Sequence, residues 1–362
     1  MDSAAHSRSS RGGGAQHFIR TMQTSDFDYD LPEDRIAQTP LEPRDSSRLL
    51  VLHRESGGVE HRRFDQIGDY LQKGDLLVLN QTRVIAARMY ARKITGGRVE
   101  LLLLRRQDAA TWEVLVGGKG LVQGTSLEVE NGPTAQIVGE LEGPQRLVRF
   151  SEPVERFLDK AGMMPLPPYI HERLSDPDRY QTVYAREPGS AAAPTAGLHF
   201  TPGLLRSLRK QGVEIAFVTL HVGLDTFAPV TESRPEDHKI HTEWCDLPLA
   251  TAEIINRTRA NGHRVVAVGT TSARTLESAS RYSYLGRFAK IAPYSDWTDL
   301  YILPGFRFTL VDALVTNFHL PKSTLLMMVS AFAGRERVLA AYEIAKREGY
   351  RFYSFGDAML II

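Results

Sequence analysis

At 362 residues, with 42% apolar and 24% charged side chains, the chain has ordinary globular composition and enough length for two domains. A net charge of +1 excludes a uniformly basic nucleic-acid binder, although a local basic face is still allowed. The single cysteine, Cys245, excludes an internal disulfide and a cysteine-rich zinc finger; it points to a reducing, cytoplasmic setting, and no apolar run reaches membrane-spanning length.

The opening MDSAAHSRSSRGGGAQ lacks an apolar centre, so it does not read as a secretory signal. Residues 1–24 are expected to be a disordered extension or cloning remnant, with Met22 a candidate natural start. Beyond them, 49–53 reads as a strand, 64–71 as a short helix and 76–79 as a buried strand ending in Asn80-Gln81-Thr82-Arg83. From 83 to 150 the pattern changes to short β-prone runs at 84–92, 98–104, 112–116, 126–129, 135–138 and 147–150. Turn signals such as Thr95-Gly96-Gly97 and Asn131-Gly132-Pro133 divide them. This predicts a small closed β-barrel domain (83–150) inserted into a larger domain made of 25–82 and 151–362. Between Arg83 and Arg106 seven basic residues face one acid, Glu100. Arg83, Arg88, Arg92, Lys93 and Arg98 are therefore candidates for tracking an RNA backbone, and a solvated sheet face would have the same composition.

After 151 the chain alternates again: helices at 154–161, 202–211, 249–261 and 336–348, strands at 213–220, 264–268 and 308–315, and a last strand-like piece in YRFYSFGDAMLII. The alternation predicts an α/β main domain, barrel-like or layered around a mixed sheet.

The densest chemistry lies at 312–334, DALVTNFHLPKSTLLMMVSAFAG, where a strand end feeds a helix start. Open α/β folds place ligands at such junctions. Thr316, Asn317, Phe318 and His319 crowd four candidate side chains into one turn there, and a hydrophobic strand–helix unit with one satisfied histidine would look alike. GTTSARTLES is a second junction, whose Thr270, Thr271 and Ser272 offer hydroxyls and helix N–H groups to a carboxylate or phosphate, or simply cap the helix. His199, His221 and His319 follow strands or turns, and histidine trades protons near pH 7. His238-x-x-His241-x-Glu243 has a spacing that admits a metal-dependent hydrolase, and the basic barrel face admits a non-catalytic RNA-binding protein. Tyr169, Tyr180 and Tyr184 carry rings that can stack on splayed RNA bases or anchor proline-rich loops. No G-x-G-x-x-G follows a strand, which disfavours an ordinary dinucleotide-binding Rossmann domain.

The runs MPLPPYI, YQTVYA, APTAGLHF, VTLHVGLDTF, EDHKIH, VAVGTTSARTLES, DALVTNFHLPKSTLLMMVSAFAG and YRFYSFGDAML follow one another over residues 25–360. In this they resemble the S-adenosylmethionine:tRNA ribosyltransferase-isomerases of queuosine biosynthesis. The resemblance implies an α/β domain interrupted by a smaller β-barrel. It implies transfer and isomerisation of the ribosyl part of S-adenosylmethionine onto 7-aminomethyl-7-deazaguanine at the tRNA wobble position. The products would be epoxyqueuosine-tRNA, adenine and methionine. S-adenosylmethionine and tRNA are then the partners of an expected monomer, with no metal, cofactor or membrane. Carried onto this chain, His199, His221 and His319 form an acid–base pool, with His319 foremost. Asp312 and Asn317 orient substrate or histidine, Thr270, Thr271 and Ser272 hold a carboxylate or phosphate, and Phe318 or Phe227 lies against the sulfonium. The chain departs from the family pattern at Asp225, where glycine is usual, and at Ala273, where valine is usual.

Overall fold

Strands buried along their whole length need cover on both faces, and the runs at 76–80, 265–268 and 313–317 are of this kind. In the computed structural model, which describes residues 22–172, 174–223, 229–285 and 290–362, they form the centre of a nine-stranded sheet. In chain order the strands are β1 (Arg48–Leu52), β2 (Val59–Arg63), β3 (Leu76–Asn80) and β4 (Thr82–Val84). The barrel follows with β5 (Arg88–Lys93), β6 (Arg98–Arg106), β7 (Thr111–Gly117), β8 (Ser126–Val129), β9 (Thr134–Glu140) and β10 (Gln145–Phe150). Then come β11 (Glu187–Ser190), β12 (Glu214–Leu220), β13 (Glu243–Leu247), β14 (Val265–Val268), β15 (Tyr294–Thr298), β16 (Ala313–Asn317) and β17 (Ala358–Ile361). The helices are α1 (Leu158–Ala161), α2 (Pro202–Gln211), α3 (Leu249–Ala260), α4 (Thr270–Leu285), α5 (Thr324–Ala333) and α6 (Arg335–Arg347).

The large sheet runs β15-β13-β12-β3-β14-β16-β17-β1-β2. Its four central strands, β12, β3, β14 and β16, are mutually parallel. Their C-terminal ends therefore emerge along one edge of the sheet. The two-residue period of the strands divides the core in two. Leu76, Val78, Val265, Ala267 and Leu314 pack with the apolar residues of α3 to α6, whereas Leu77, Leu79, Val266, Val268 and Val315 pack with those of α2 and the 3₁₀ turn Phe64–Tyr70. The main domain is thus layered around a mixed sheet rather than closed.

Local signals placed several elements well. The hydroxyl of Thr201 accepts the Leu204 N–H at 3.1 Å, Pro202 occupies the first turn of α2, and Gly212 ends it with φ of 91°. The strand expected at 308–315 begins only at Ala313. The buried Glu277 carboxylate takes the N–H groups of Thr309, Leu310 and Val311, so those residues cannot join a ladder. The helix expected at 64–71 is a 3₁₀ turn, and that at 154–161 splits into a 3₁₀ turn and α1. β13 and β15 carry no continuous apolar run, and sequence reasoning missed both.

The barrel closes in the order β10-β7-β6-β5-β8-β9 around Met89, Val99, Leu101, Val114, Ile137 and Val148. The first strand expected there, 84–92, divides: β4 pairs in parallel with β11, and the barrel strand starts at Arg88. The described residues include Met22, Gln23 and Thr24, which the sequence reading assigned to the extension. Thr24 is buried, with its N–H on the Ser233 carbonyl at 2.9 Å and its hydroxyl on that of Glu232 at 2.6 Å. Residues 1–21 lie outside the described residues. Among the described residues no helix is long and apolar enough to cross a membrane.

Candidate active site

The parallel centre of the sheet delivers Thr82 after β3, His221 after β12, Thr270 after β14 and His319 after β16 to the same edge. A cleft of about 810 Å³ opens there between the sheet and the barrel. His221, Trp244, Thr270, Thr271 and Arg274 line its α/β side, and Leu104, Arg105, Arg106 and Trp112 its barrel side. A smaller cavity of about 50 Å³ shares Val222, Thr270, Thr271 and Leu325 with the cleft and reaches Thr195, Asn317 and His319.

His221 bonds through Nδ1 to the Thr82 hydroxyl at 2.7 Å and stacks on Trp244, with ring centres 5.2 Å apart. Its Nε2 lies against Gly189, where a Cβ would come within 2.8 Å of it. Burial pushes the His221 imidazole down to about 4. His319 bonds through Nε2 to the Thr316 hydroxyl at 2.6 Å, and its Nδ1 has no partner among the described residues. The hydroxyls of Tyr29 and Tyr342 hold its backbone carbonyl and N–H. Burial pushes His319 down to about 3. Both rings are neutral at pH 7 and begin as proton acceptors.

α4 points its N-terminus at the same place. Gly269 makes the turn with φ of 88°, Thr270 and Thr271 line both cavities, and the buried Thr271 hydroxyl has no hydrogen-bond partner. Free N–H groups at the start of a 16-residue helix favour an anion. Arg274, one turn further, is buried and ion-paired with Glu243, and it donates to the carbonyls of His241, Thr298 and Leu300. The other Glu243 oxygen takes the Gly223 N–H at 2.9 Å. This pair ties α4 to the loop after His221.

The sequence profile of the queuosine biosynthesis proteins matches residues 24–361. The chain belongs to this family. It is 55% identical over 347 residues to the S-adenosylmethionine:tRNA ribosyltransferase-isomerase of Moorella thermoacetica, covering 94% of this chain and 100% of that protein. It is 52% identical over 346 residues to the enzyme of that name from Staphylococcus haemolyticus, again covering 94% and 100%. The crystal structure of S-adenosylmethionine tRNA ribosyltransferase from Thermotoga maritima aligns with a TM-score of 0.54 at 42% identity, covering 93% of this chain and 100% of that one.

In this member of the queuosine family the expected site residues do not all converge. His199 is fully buried and lines neither cavity. The Asn317 amide donates to its Nε2 at 3.2 Å, so that nitrogen carries the lone pair; the proton sits on Nδ1, which lies 2.7 Å from the Ser47 hydroxyl. Burial, helped by the charges of Arg44 and Arg351, holds His199 well below the usual imidazole range. It is therefore a buried brace for Asn317, whose Oδ1 also accepts from Thr195 at 2.8 Å. Asp312 precedes β16 and accepts the Val265 N–H at 2.8 Å, about 16 Å of extended chain from Asn317 and at the wrong end of the strand. Ser272 is fully buried and lines neither cavity. The Phe318 ring is enclosed by Tyr342, Tyr350 and Phe352, so it is core at the wall of the smaller cavity rather than an open cation partner. Tyr180 is fully buried against Phe355 and has no face for a base. Tyr169 lines the smaller cavity, its hydroxyl 2.7 Å from that of Ser354. Phe227 and Asp225 lie outside the described residues.

The basic residues also divide. Arg83 lines the cleft, but Arg88, Arg92, Lys93 and Arg98 sit on the outer barrel surface of β5 and β6. Arg88 pairs with Glu100 at 3.0 Å, Arg92 with Glu130 at 3.6 Å, and Arg98 lies 3.8 Å over the Tyr90 ring. His238 is held by Glu232 at 2.9 Å and Glu243 by Arg274. No three His, Cys, Asp or Glu side chains among the described residues are placed to hold a metal, so the hydrolase reading loses its ligand set. Sequence reasoning missed Thr82, Gly189, Thr195, Trp244, Arg274 and Trp297. Thr82, Thr195 and Arg274 lay inside runs already named, Thr195 four residues from His199 and Arg274 four from Thr270.

Proposed function

We propose that the protein is an S-adenosylmethionine:tRNA ribosyltransferase-isomerase. It moves and isomerises the ribosyl group of S-adenosylmethionine onto 7-aminomethyl-7-deazaguanine at the tRNA wobble position, leaving epoxyqueuosine-tRNA, adenine and methionine. The observation that carries the reading is that the α4 N-terminus lines both the large cleft, which holds His221, and the adjoining small cavity, which holds His319, in a chain whose relatives bear that name over their full length. S-adenosylmethionine is the ribosyl donor, and the reaction calls for no further cofactor.

The sulfonium acidifies the adjacent C5′ hydrogens, and the attacking amine must shed a proton. Neutral imidazoles suit both steps, and the departure of adenine consumes a proton that a histidine has taken. We assign proton transfer to His221 and His319. Thr270 and Thr271, with the α4 N–H groups, take the methionine carboxylate. Asn317, braced by His199 and Thr195, shapes the inner cavity. The barrel (83–150) presents the anticodon to the main domain (25–82 and 151–362), with the outer face of Arg88, Arg92, Lys93 and Arg98 tracking phosphates. Work on tRNA and a single buried thiol both fit a cytoplasmic protein.

The test is incubation with S-adenosylmethionine and tRNA carrying the deazaguanine amine, followed by nucleoside mass analysis. Epoxyqueuosine should appear with equal amounts of adenine and methionine. Unchanged tRNA, or product without S-adenosylmethionine, refutes the assignment.

A further inference from the structure

The edge of the large sheet carries two indoles that the proton chemistry leaves unused. In the antiparallel ladder of β13 and β15, Trp244 stands directly opposite Trp297. Opposed residues share one face, with Cβ atoms about 5 Å apart. His221 stacks on Trp244 with 21° between the planes. From the barrel, the Arg105 guanidinium lies 4.2 Å over the Trp297 ring. All four side chains line the large cleft, yet Trp297 remains 42% exposed.

The cations of this wall are already compensated. Arg105 lies 3.9 Å from Glu113, Arg106 3.0 Å from Glu155 and Arg83 3.9 Å from Asp178. Exposed pairs of this kind leave little net field. The wall therefore offers flat aromatic surface rather than excess positive charge, and such a surface selects a nucleobase outside its stack. Adenine of S-adenosylmethionine and the target base of the RNA are both flat enough. The open position of Trp297, under a barrel arginine, favours the one that arrives from a macromolecule. That base must leave its neighbours to bring its aminomethyl group to the sulfonium nucleoside.

We propose that Trp297, with Trp244 and His221 beside it, is the platform on which the unstacked wobble base of the tRNA lies. This rests on the ribosyl-transfer reading above. The test compares two anticodon stem–loops, one carrying 7-aminomethyl-7-deazaguanine and one abasic at that position, binding to the wild type, Trp297→Ala and Trp297→Phe. Trp297→Ala should weaken the intact stem–loop roughly tenfold or more and leave the abasic one unchanged. The loss should be equal at low and high salt, because stacking releases no counterions. Trp297→Phe should recover most of the affinity, and S-adenosylmethionine binding by calorimetry should not move. An equal loss for the abasic RNA, no loss for either RNA, or weakened S-adenosylmethionine binding overturns the platform. Product formation by the wild-type protein tests the transfer reading separately, so the two can fail independently.

Discussion

Replacing His199 with phenylalanine separates a buried brace from a catalytic base. The phenyl ring keeps the stacking on Phe64, whose centre lies 4.8 Å from that of His199, so little apolar contact is lost. What goes is the hydrogen bonding on both sides. The Ser47 hydroxyl is fully buried, and leaving such a group unpaired costs about 1–3 kcal/mol. The bond to Asn317 contributes about 1 kcal/mol more. Together the variant should lose about 2–4 kcal/mol of stability, read by urea unfolding followed by circular dichroism. Asn317 keeps Thr195 and the Tyr353 carbonyl, the latter at 3.3 Å, so its amide stays nearly in place. Adenine release, measured where the variant is folded, should therefore fall by less than about tenfold, whereas removing a true general base costs about a hundredfold or more. A variant as stable as the wild type but a hundredfold slower would refute the assignment.

The three neutral histidines also shape acid stability. Their folded pKa values are depressed, so their contribution is intact above pH 6.5 and is lost as pH falls towards about 4 for His221 and about 3 for His319. Each should add up to about 1.4 kcal/mol per pH unit to the slope below 6.5, and His199→Phe should remove its share; an unchanged slope means His199 is not held neutral. Gly189→Ala places a Cβ 2.8 Å from His221 Nε2 at a φ of 145°. It should slow adenine release at least about tenfold while the circular dichroism spectrum is retained, and equal rates would show that the His221 orientation does not matter. On the barrel, Arg92 stands directly opposite Arg98, a like-charge pair that costs stability. Arg98→Glu relieves that repulsion but gives up the contact with Tyr90, so barrel stability should change little, while tRNA binding weakens and its salt slope flattens by about 1; unchanged binding would move the RNA elsewhere.

Residues a few positions apart determined much of this protein. The cap at Thr201, the stop at Gly212, the turn-separated runs of the barrel and the hydroxyls opening α4 are all visible along the chain, because capping and periodicity act within about a turn. The tertiary structure decided which of those residues meet. β3, β12, β14 and β16 come from distant parts of the sequence, and only their parallel order puts Thr82, His221, Thr270 and His319 on one edge. The same order sends Asp312 to the far end of β16 and encloses His199, which the family resemblance put in one acid–base pool with His319. Trp244 and Trp297 became neighbours through an edge pairing that no apolar run announces. Burial and strand neighbours are set by segments far apart in the chain, so a chain read in order names the candidate side chains and leaves their company to the fold.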